Sequence, residues 1–201
     1  LERLQLYVTL LERWTKSINL VSAESLGDVW RRHILDSAQL LDLMPRPTAA
    51  SSTVLDLGSG AGLPGLVLAI LGAGRVHLVE ADQKKATFLR EAARITQSAV
   101  VVHDARIETL TPFPVDVVTA RALAPLDRLL GYAAPFLSVQ DRADGTGRGP
   151  MALFLKGQHV EAELTQARKK WNMGVECVAS VSDPRGVVLR ITDVYSRGGK
   201  A

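Results

Sequence analysis

The run Val54-Leu55-Asp56-Leu57-Gly58-Ser59-Gly60-Ala61-Gly62-Leu63-Pro64-Gly65 constrains this chain more than any other part of it. A short apolar, β-branched segment passes directly into a stretch with four glycines in eight residues. Glycine lets the backbone turn sharply and approach a ligand closely, and the apolar residues at 63–71 predict a helix opening on the loop. As a mere packing turn, so many glycines would weaken the chain without compensating use. Strand, glycine loop and helix in that order begin a βαβ unit, so the expectation is an open, largely parallel sheet.

The following residues continue the pattern. Segments 76–79, 100–102, 115–118 and 152–155 are dominated by apolar and β-branched residues, interrupted only by His77 and Asp116, as expected of strands covered on both faces, and 84–95, 126–134 and 160–171 supply crossover helices. The last two strands, 175–181 and 187–194, flank Asp183-Pro184-Arg185-Gly186, a turn, which predicts an antiparallel hairpin. Ahead of the glycine loop the character is helical. Leu4, Val8, Leu11 and Trp14 or Thr15 follow one buried stripe, and 33–44 repeats it through Ile34, Ala38 and Leu41. Prolines 45 and 47 with the small residues up to 52 stop this layer. The expected organisation is a helical cap at 1–50, a boundary near 50, and an α/β domain at 51–201. The glycine-rich segment 141–150 is expected to be a loop without its own fold.

Several classes fall away. Cys177 is the only cysteine, so a disulfide framework is excluded; four scattered histidines give no metal-ligand spacing. No segment reaches the roughly 18 uninterrupted apolar residues of a membrane span, and Leu1-Glu2-Arg3-Leu4 has no signal-peptide layout. A soluble protein in the reducing cytoplasm is expected. The missing initial Met suggests a trimmed chain. Net charge is +3, and residues 142–201 carry 10 basic against 6 acidic groups, which suits a polyanionic partner and an ordinary solvated surface equally well.

Read from Gly60, the loop is GxGxxG with Glu80 twenty residues on, which literally matches a dinucleotide fingerprint. Asp56 argues against that ligand, because an acid at the strand end would sit beside an anionic pyrophosphate. The same acid favours the cationic amino-acid portion of S-adenosylmethionine, directly or through water, while Glu80 can accept both ribose hydroxyls. Too little chain follows the nucleotide unit to form a separate hydride-acceptor domain. The loop, with Gly58, Gly60 and Gly62, is therefore expected to hold S-adenosylmethionine.

Four motifs together, Trp14-Thr15-Lys16-Ser17-Ile18-Asn19-Leu20, Arg32-His33-Ile34-Leu35-Asp36-Ser37, the glycine loop from Asp56 to Gly65, and Arg121-Ala122, give a chain-wide resemblance to the glucose-inhibited division protein B family. That family consists of S-adenosylmethionine-dependent methyltransferases acting on N7 of a guanine in 16S, small-subunit ribosomal RNA. The resemblance implies a Rossmann-like class I methyltransferase sheet of about seven strands beneath an N-terminal helical cap. It also implies cofactor contacts at Gly58, Leu63, Ile107, Glu108 and Arg121, and as partner the small-subunit RNA or the assembling subunit; a monomer is expected. Glu80 departs from the family's frequent Asp by one methylene, and the resemblance says nothing about 141–150.

On the residues alone, Ile107 could face a purine, but the reading of Ile107 as core and Glu108 as solvated surface is favoured, and Arg121 reads as a contact to cofactor, RNA phosphate or solvent. His33 and Asp36, three apart, have the spacing of a base and its orienter. Guanine N7, however, carries a lone pair and no proton, so no catalytic acid or base is expected; alignment carries the rate. The cluster of Arg32 and His33 either packs the cap or lines the RNA entrance, and Lys84 and Lys156 are further cations expected at the same edge. With ten aromatic residues there is little for base stacking, so RNA would be recognised by its shape. A methyltransferase for a small molecule or protein, and a non-catalytic RNA-binding protein, are the alternatives.

Overall fold

Leu55 and Leu57 on one face of the first strand, and Val54 on the other, are all fully buried, because helices cover both sides of the sheet. This is the reason for the predominantly apolar strands. The computed structural model describes residues 1–44, 52–138 and 149–198. The boundary expected near residue 50, and the 141–150 segment apart from its last two residues, lie outside them.

Seven strands form one sheet in the order β3-β2-β1-β4-β5-β7-β6. They are β1 Thr53–Leu57, β2 Arg75–Glu80, β3 Val100–Asp104, β4 Val117–Arg121, β5 Met151–Lys156, β6 Trp171–Ala179 and β7 Val187–Ser196. The first five run parallel, and β7 is antiparallel to both β5 and β6, as the turn at 183–186 predicts. Strand order reverses between β1 and β4, the place where open α/β sheets leave a ligand crevice at their carboxyl ends. The glycine loop, Glu80, Arg121 and Lys156 all emerge at that end.

Among the described residues seven α-helical segments accompany the strands: α1 Glu2–Thr15, α2 Ala23–Leu26, α3 Asp36–Ala38, α4 Gly65–Ile70, α5 Gln83–Thr96, α6 Leu126–Leu137 and α7 Val160–Ala167. Leu4, Val8 and Leu11 of α1 join Leu66 of α4 and Phe88 and Leu89 of α5 in a single apolar cluster, so the N-terminal helices share their core with one face of the sheet. The other face is covered by α6 and α7 through Leu130, Phe136 and Leu164. Asp82 caps α5 by accepting from the amides of Lys84 and Lys85 at 2.8 and 3.1 Å, satisfying donors that the first helical turn leaves open.

Three sequence expectations need adjustment. The helix expected at 160–171 ends at Ala167 and Trp171 begins β6, where its indole donates to the Asp127 carbonyl at 3.0 Å. Val115 is buried ahead of β4, which starts two residues later than expected. The helical stretch around His33 is no regular α-helix: Trp30–Leu35 is π-helical, Asp36–Ala38 α-helical and Gln39–Leu43 3-10. Its wider turn has a use, because the Arg32 carbonyl accepts from Arg121 at 3.0 Å and the His33 carbonyl from the Ser37 hydroxyl at 2.7 Å.

Candidate active site

Turn conformations shape the glycine loop from within. Gly58, Gly60 and Gly62 all hold positive φ, at 64°, 54° and 86°. A Cβ on Gly58 would lie 2.5 Å from the Leu123 side chain, and one on Gly62 2.7 Å from Leu66, so both glycines permit close packing. Gly60 differs. Its Cβ would meet only the Gly58 carbonyl oxygen, 3.9 Å away, so this position opens onto the crevice.

The loop satisfies most of its own backbone amides. Ser59 donates to the Val79 carbonyl, and Gly62 and Leu63 both donate to Ser59. The Gly60 amide donates to Glu80 Oε2 at 2.8 Å, while Glu80 Oε1 accepts from the Asp82 amide, also at 2.8 Å. Glu80 thus ties the end of β2 to the loop after β1, with lone pairs on both oxygens left over.

Asp56 is a correction. It is fully buried beneath α4, outside the cavity wall, where Oδ1 accepts from the Thr119 hydroxyl at 2.8 Å and Oδ2 has no hydrogen-bond partner. Burial raises its pKa to about 6, against the opposing influence of Ser59, Thr119 and the nearby Gly65 amide. A Cβ on Gly65 would lie 2.6 Å from Asp56 Cβ, so the helix closes over the carboxyl and prevents direct contact with a ligand.

Above the loop lies a cavity of about 480 Å³, within the usual range for small-ligand sites. Its wall includes Gly58, Gly60, Leu63, Glu80, Ile107, Glu108 and Arg121; Gly62 and Asp56 stand behind it. Arg128 and Tyr132 from α6 line the wall without any signal in the sequence, and of the adjacent cations Lys84 and Lys85 it is Lys85 that lines it. The Arg128 guanidinium lies 5.4 Å from the Tyr132 ring centroid and donates through Nε to its hydroxyl at 2.7 Å. A hydrogen bond from its own backbone amide, with help from the Tyr132 hydroxyl, holds the Glu108 carboxyl below the ordinary range.

Arg121, the last residue of β4, separates this cavity from a second one of about 470 Å³ over β4 and β5. Its guanidinium donates to Asp36 Oδ2 at 3.1 Å and to His33 Nδ1 at 3.0 Å. Because a guanidinium only donates, Nδ1 must carry the lone pair, so Nε2 bears the proton and donates to Ser25 Oγ, 2.9 Å away. Ser25 passes its own hydrogen to the Ser22 carbonyl at 2.8 Å. Burial, reinforced by Arg121 and Arg32, lowers the His33 pKa to about 4. His33 is 7% exposed with both ring nitrogens engaged, which removes it from an RNA-facing surface. It ties the cap to Arg121 instead.

The remaining cations are separated. Arg32 is exposed and pairs with Glu24 at 3.3 Å, Lys84 is exposed on α5 outside both cavities, and Lys156 lines the second cavity. The histidines are less scattered than the sequence suggests, since parallel pairing of β2 and β3 brings His77 Nδ1 to 2.9 Å from His103 Nε2. Burial lowers both pKa values, that of His77 to about 4. Sequence reasoning also missed Tyr7. It is fully buried, and its hydroxyl donates to the Ala61 carbonyl at 2.8 Å, so α1 reaches the glycine loop itself.

This arrangement fits S-adenosylmethionine better than a dinucleotide. Glu80 occupies the loop amide that a pyrophosphate would need, yet keeps acceptor capacity for a ribose, and Gly60 leaves room for close approach.

Comparison with known proteins agrees. The family model for rRNA small subunit methyltransferase G matches residues 1–186. The chain is 57% identical over 194 residues to ribosomal RNA small subunit methyltransferase G of Rhodospirillum rubrum, covering 96% of this chain and 90% of that protein. It is 51% identical over 198 residues to the protein of the same name from Paramagnetospirillum magneticum, covering 98% and 90%. Among solved structures it resembles magnesium protoporphyrin IX methyltransferase from Synechocystis PCC 6803 with bound S-adenosylmethionine, at a TM-score of 0.58, 14% identity, and 92% and 96% coverage. A fibrillarin/Nop5p complex gives 0.57, 14%, and 81% of each chain. At that identity the structural likeness speaks for the class I methyltransferase fold alone, but the match along the sequence is far closer, and the chain belongs to the rRNA small subunit methyltransferase G family.

Proposed function

We propose that this chain is an S-adenosylmethionine-dependent enzyme that methylates N7 of a guanine in 16S ribosomal RNA. The observation that carries the cofactor half is Glu80 seated on the Gly60 amide at the cavity wall. The names of the relatives, ribosomal RNA small subunit methyltransferases, support the RNA half.

When bound, S-adenosylmethionine supplies an electrophilic methyl on sulfur, which the guanine N7 lone pair takes by direct displacement as the C–S electron pair returns to sulfur. Glu80 accepts from the ribose hydroxyls. Ile107 and Tyr132 offer apolar and aromatic surface to the adenine, with Glu108 beside them. Gly58, Gly60 and Leu63 form the floor, while Gly62 and Asp56 shape the loop from behind. Arg121, braced by His33 and Asp36, fixes the wall between the two cavities. No residue is assigned as general base, because N7 has no proton to remove and the His33 lone pair is committed to Arg121. Alignment of N7, methyl and sulfur then carries the rate.

Arg32 and Lys84 serve RNA phosphates on this reading, and residues 1–50 act as a cap on the methyltransferase domain at 51–201. The protein works as a monomer in the cytoplasm, on small-subunit RNA or the assembling subunit. Among the described residues no helix is long and apolar enough to cross a membrane.

The test is incubation with methyl-labelled S-adenosylmethionine and either purified small-subunit RNA or small-subunit particles lacking the modification, followed by mass spectrometry of nuclease digests. N7-methylguanosine in either substrate supports the reading. Label confined to protein or to small molecules would overturn it.

A further inference from the structure

The second cavity shares its wall with the cofactor cavity through Arg121, Ala122 and Leu123, and lies over the ends of β4 and β5. A methyl acceptor must occupy a space contiguous with the cofactor, and this cavity is placed to provide one. Its acids differ in how far they are already committed. Asp36 accepts from Arg121 on Oδ2 and from Ser182 and Gln39 on Oδ1. Asp183 belongs to the exposed hairpin turn, where it faces Arg185. Glu163 of α7 accepts on Oε2 alone, from the Lys156 ammonium at 2.6 Å and the Leu126 amide at 2.7 Å, which leaves Oε1 without a hydrogen bond among the described residues. Lys156 also donates to the Ala124 carbonyl at 2.9 Å.

Chain order arranges this pair relative to the shared wall. Residues 121–123 form the wall; Ala124, which follows directly, holds Lys156, and Leu126, two residues further on, holds Glu163. A guanine with N7 towards the cofactor presents O6, an acceptor, next to N7, then N1–H and the N2 amino group, both donors. Cation near the wall and carboxylate beyond it match that sequence of groups. An adenine in the same pose would turn its 6-amino donor to Lys156 and its N1 lone pair to the carboxylate, and both contacts are repulsive.

We propose that Lys156 and Glu163 read the acceptor guanine, the ammonium donating to O6 and the free carboxylate oxygen accepting from the N1–H and N2–H edge. This inference rests on the guanine-N7 reading above and adds a base-reading residue, Glu163. The reaction forms the C–N7 bond, breaks the C–S bond and moves no proton, so the positive charge passes from sulfur to the purine. A carboxylate on the N1–H edge gains attraction as that charge develops, which makes Glu163 a source of transition-state stabilisation as well as of selectivity.

The test is an internal competition. Small-subunit RNA is transcribed with a GTP and ITP mixture, so that the modified position carries guanosine in some molecules and inosine, which lacks only the 2-amino group, in others. Wild type and Glu163→Gln are given the same RNA pool, and the ratio of N7-methylguanosine to N7-methylinosine is read by mass spectrometry. Any effect of inosine on RNA folding is common to both proteins. Wild type is expected to prefer guanosine by about tenfold, the value of one buried charge-assisted hydrogen bond. Glu163→Gln, which keeps an acceptor for the Leu126 amide, is expected to bring the ratio to about one while binding S-adenosylhomocysteine as wild type does. Equal use of both bases by wild type would overturn the proposal without any variant, as would an unchanged ratio in Glu163→Gln. No N7-methylpurine from wild type would overturn the parent reading and this one with it.

Discussion

Removing one oxygen from Tyr7 tests whether the helical cap holds the glycine loop in its ligand-ready shape. The hydroxyl donates across 2.8 Å to the Ala61 carbonyl, and the side chain is fully buried, so Tyr7→Phe leaves that carbonyl without its donor and without access to water. An unsatisfied buried polar group costs about 1–3 kcal/mol, and the phenylalanine ring keeps the contact with Phe88, whose ring centroid lies 6.4 Å away. The expected loss is therefore about 2 kcal/mol in urea denaturation, or about 4–8 °C in Tm for a chain of this size. Ala61 lies between Gly60, which opens onto the cavity, and Gly62, so part of the loss should appear as weaker binding. Calorimetric titration with S-adenosylhomocysteine should give a Kd raised about 3- to 10-fold. Stability within about 0.5 kcal/mol of wild type would show that the hydrogen bond carries nothing. Lower stability with unchanged Kd would refute the coupling of cap to loop, leaving Tyr7 a packing residue only.

Asp56→Asn should reveal the buried carboxyl through pH. Its native pKa of about 6 exceeds the ordinary 3.8, so its stabilising effect is fully present below the ordinary value and is lost as pH rises from 3.8 to 6, an effect of order 3 kcal/mol. Denaturation of both proteins at pH 4 and pH 7 should show the variant gaining on wild type by that order; a difference independent of pH would mean that Asp56 does not titrate as a buried group. Glu80→Gln should weaken S-adenosylhomocysteine binding by about 1–3 kcal/mol, because charge-assisted bonds to the ribose are lost, and an unchanged Kd would remove Glu80 from the site. Lys84→Ala should leave cofactor affinity unchanged while reducing the slope of log RNA affinity against log salt by about one unit, the signature of a lost phosphate contact. A slope equal to that of wild type would assign Lys84 to plain solvated surface.

The local devices of this fold follow from the order of residues along the chain. The apolar runs needed burial on both faces, four glycines permitted the turn after β1, and Asp183-Pro184-Arg185-Gly186 allowed only a reversal, hence the antiparallel end of the sheet. Such signals are legible because each depends on neighbours a few residues away. Glu80 was legible for the same reason, since βαβ geometry fixes where the end of β2 falls relative to the loop. Partners brought together from distant parts of the chain depend instead on how the layers pack. Tyr7 meets Ala61 across 54 positions and Arg121 meets His33 across 88. His77 meets His103 through strand pairing. Asp56, which the sequence alone offers to a ligand, is sealed under α4, because the small residue at Gly65 lets the helix descend onto it. The side-chain type at such a position states which bonds it can make; the packing of layers around it decides whether those bonds go to the core, to a brace or to a substrate.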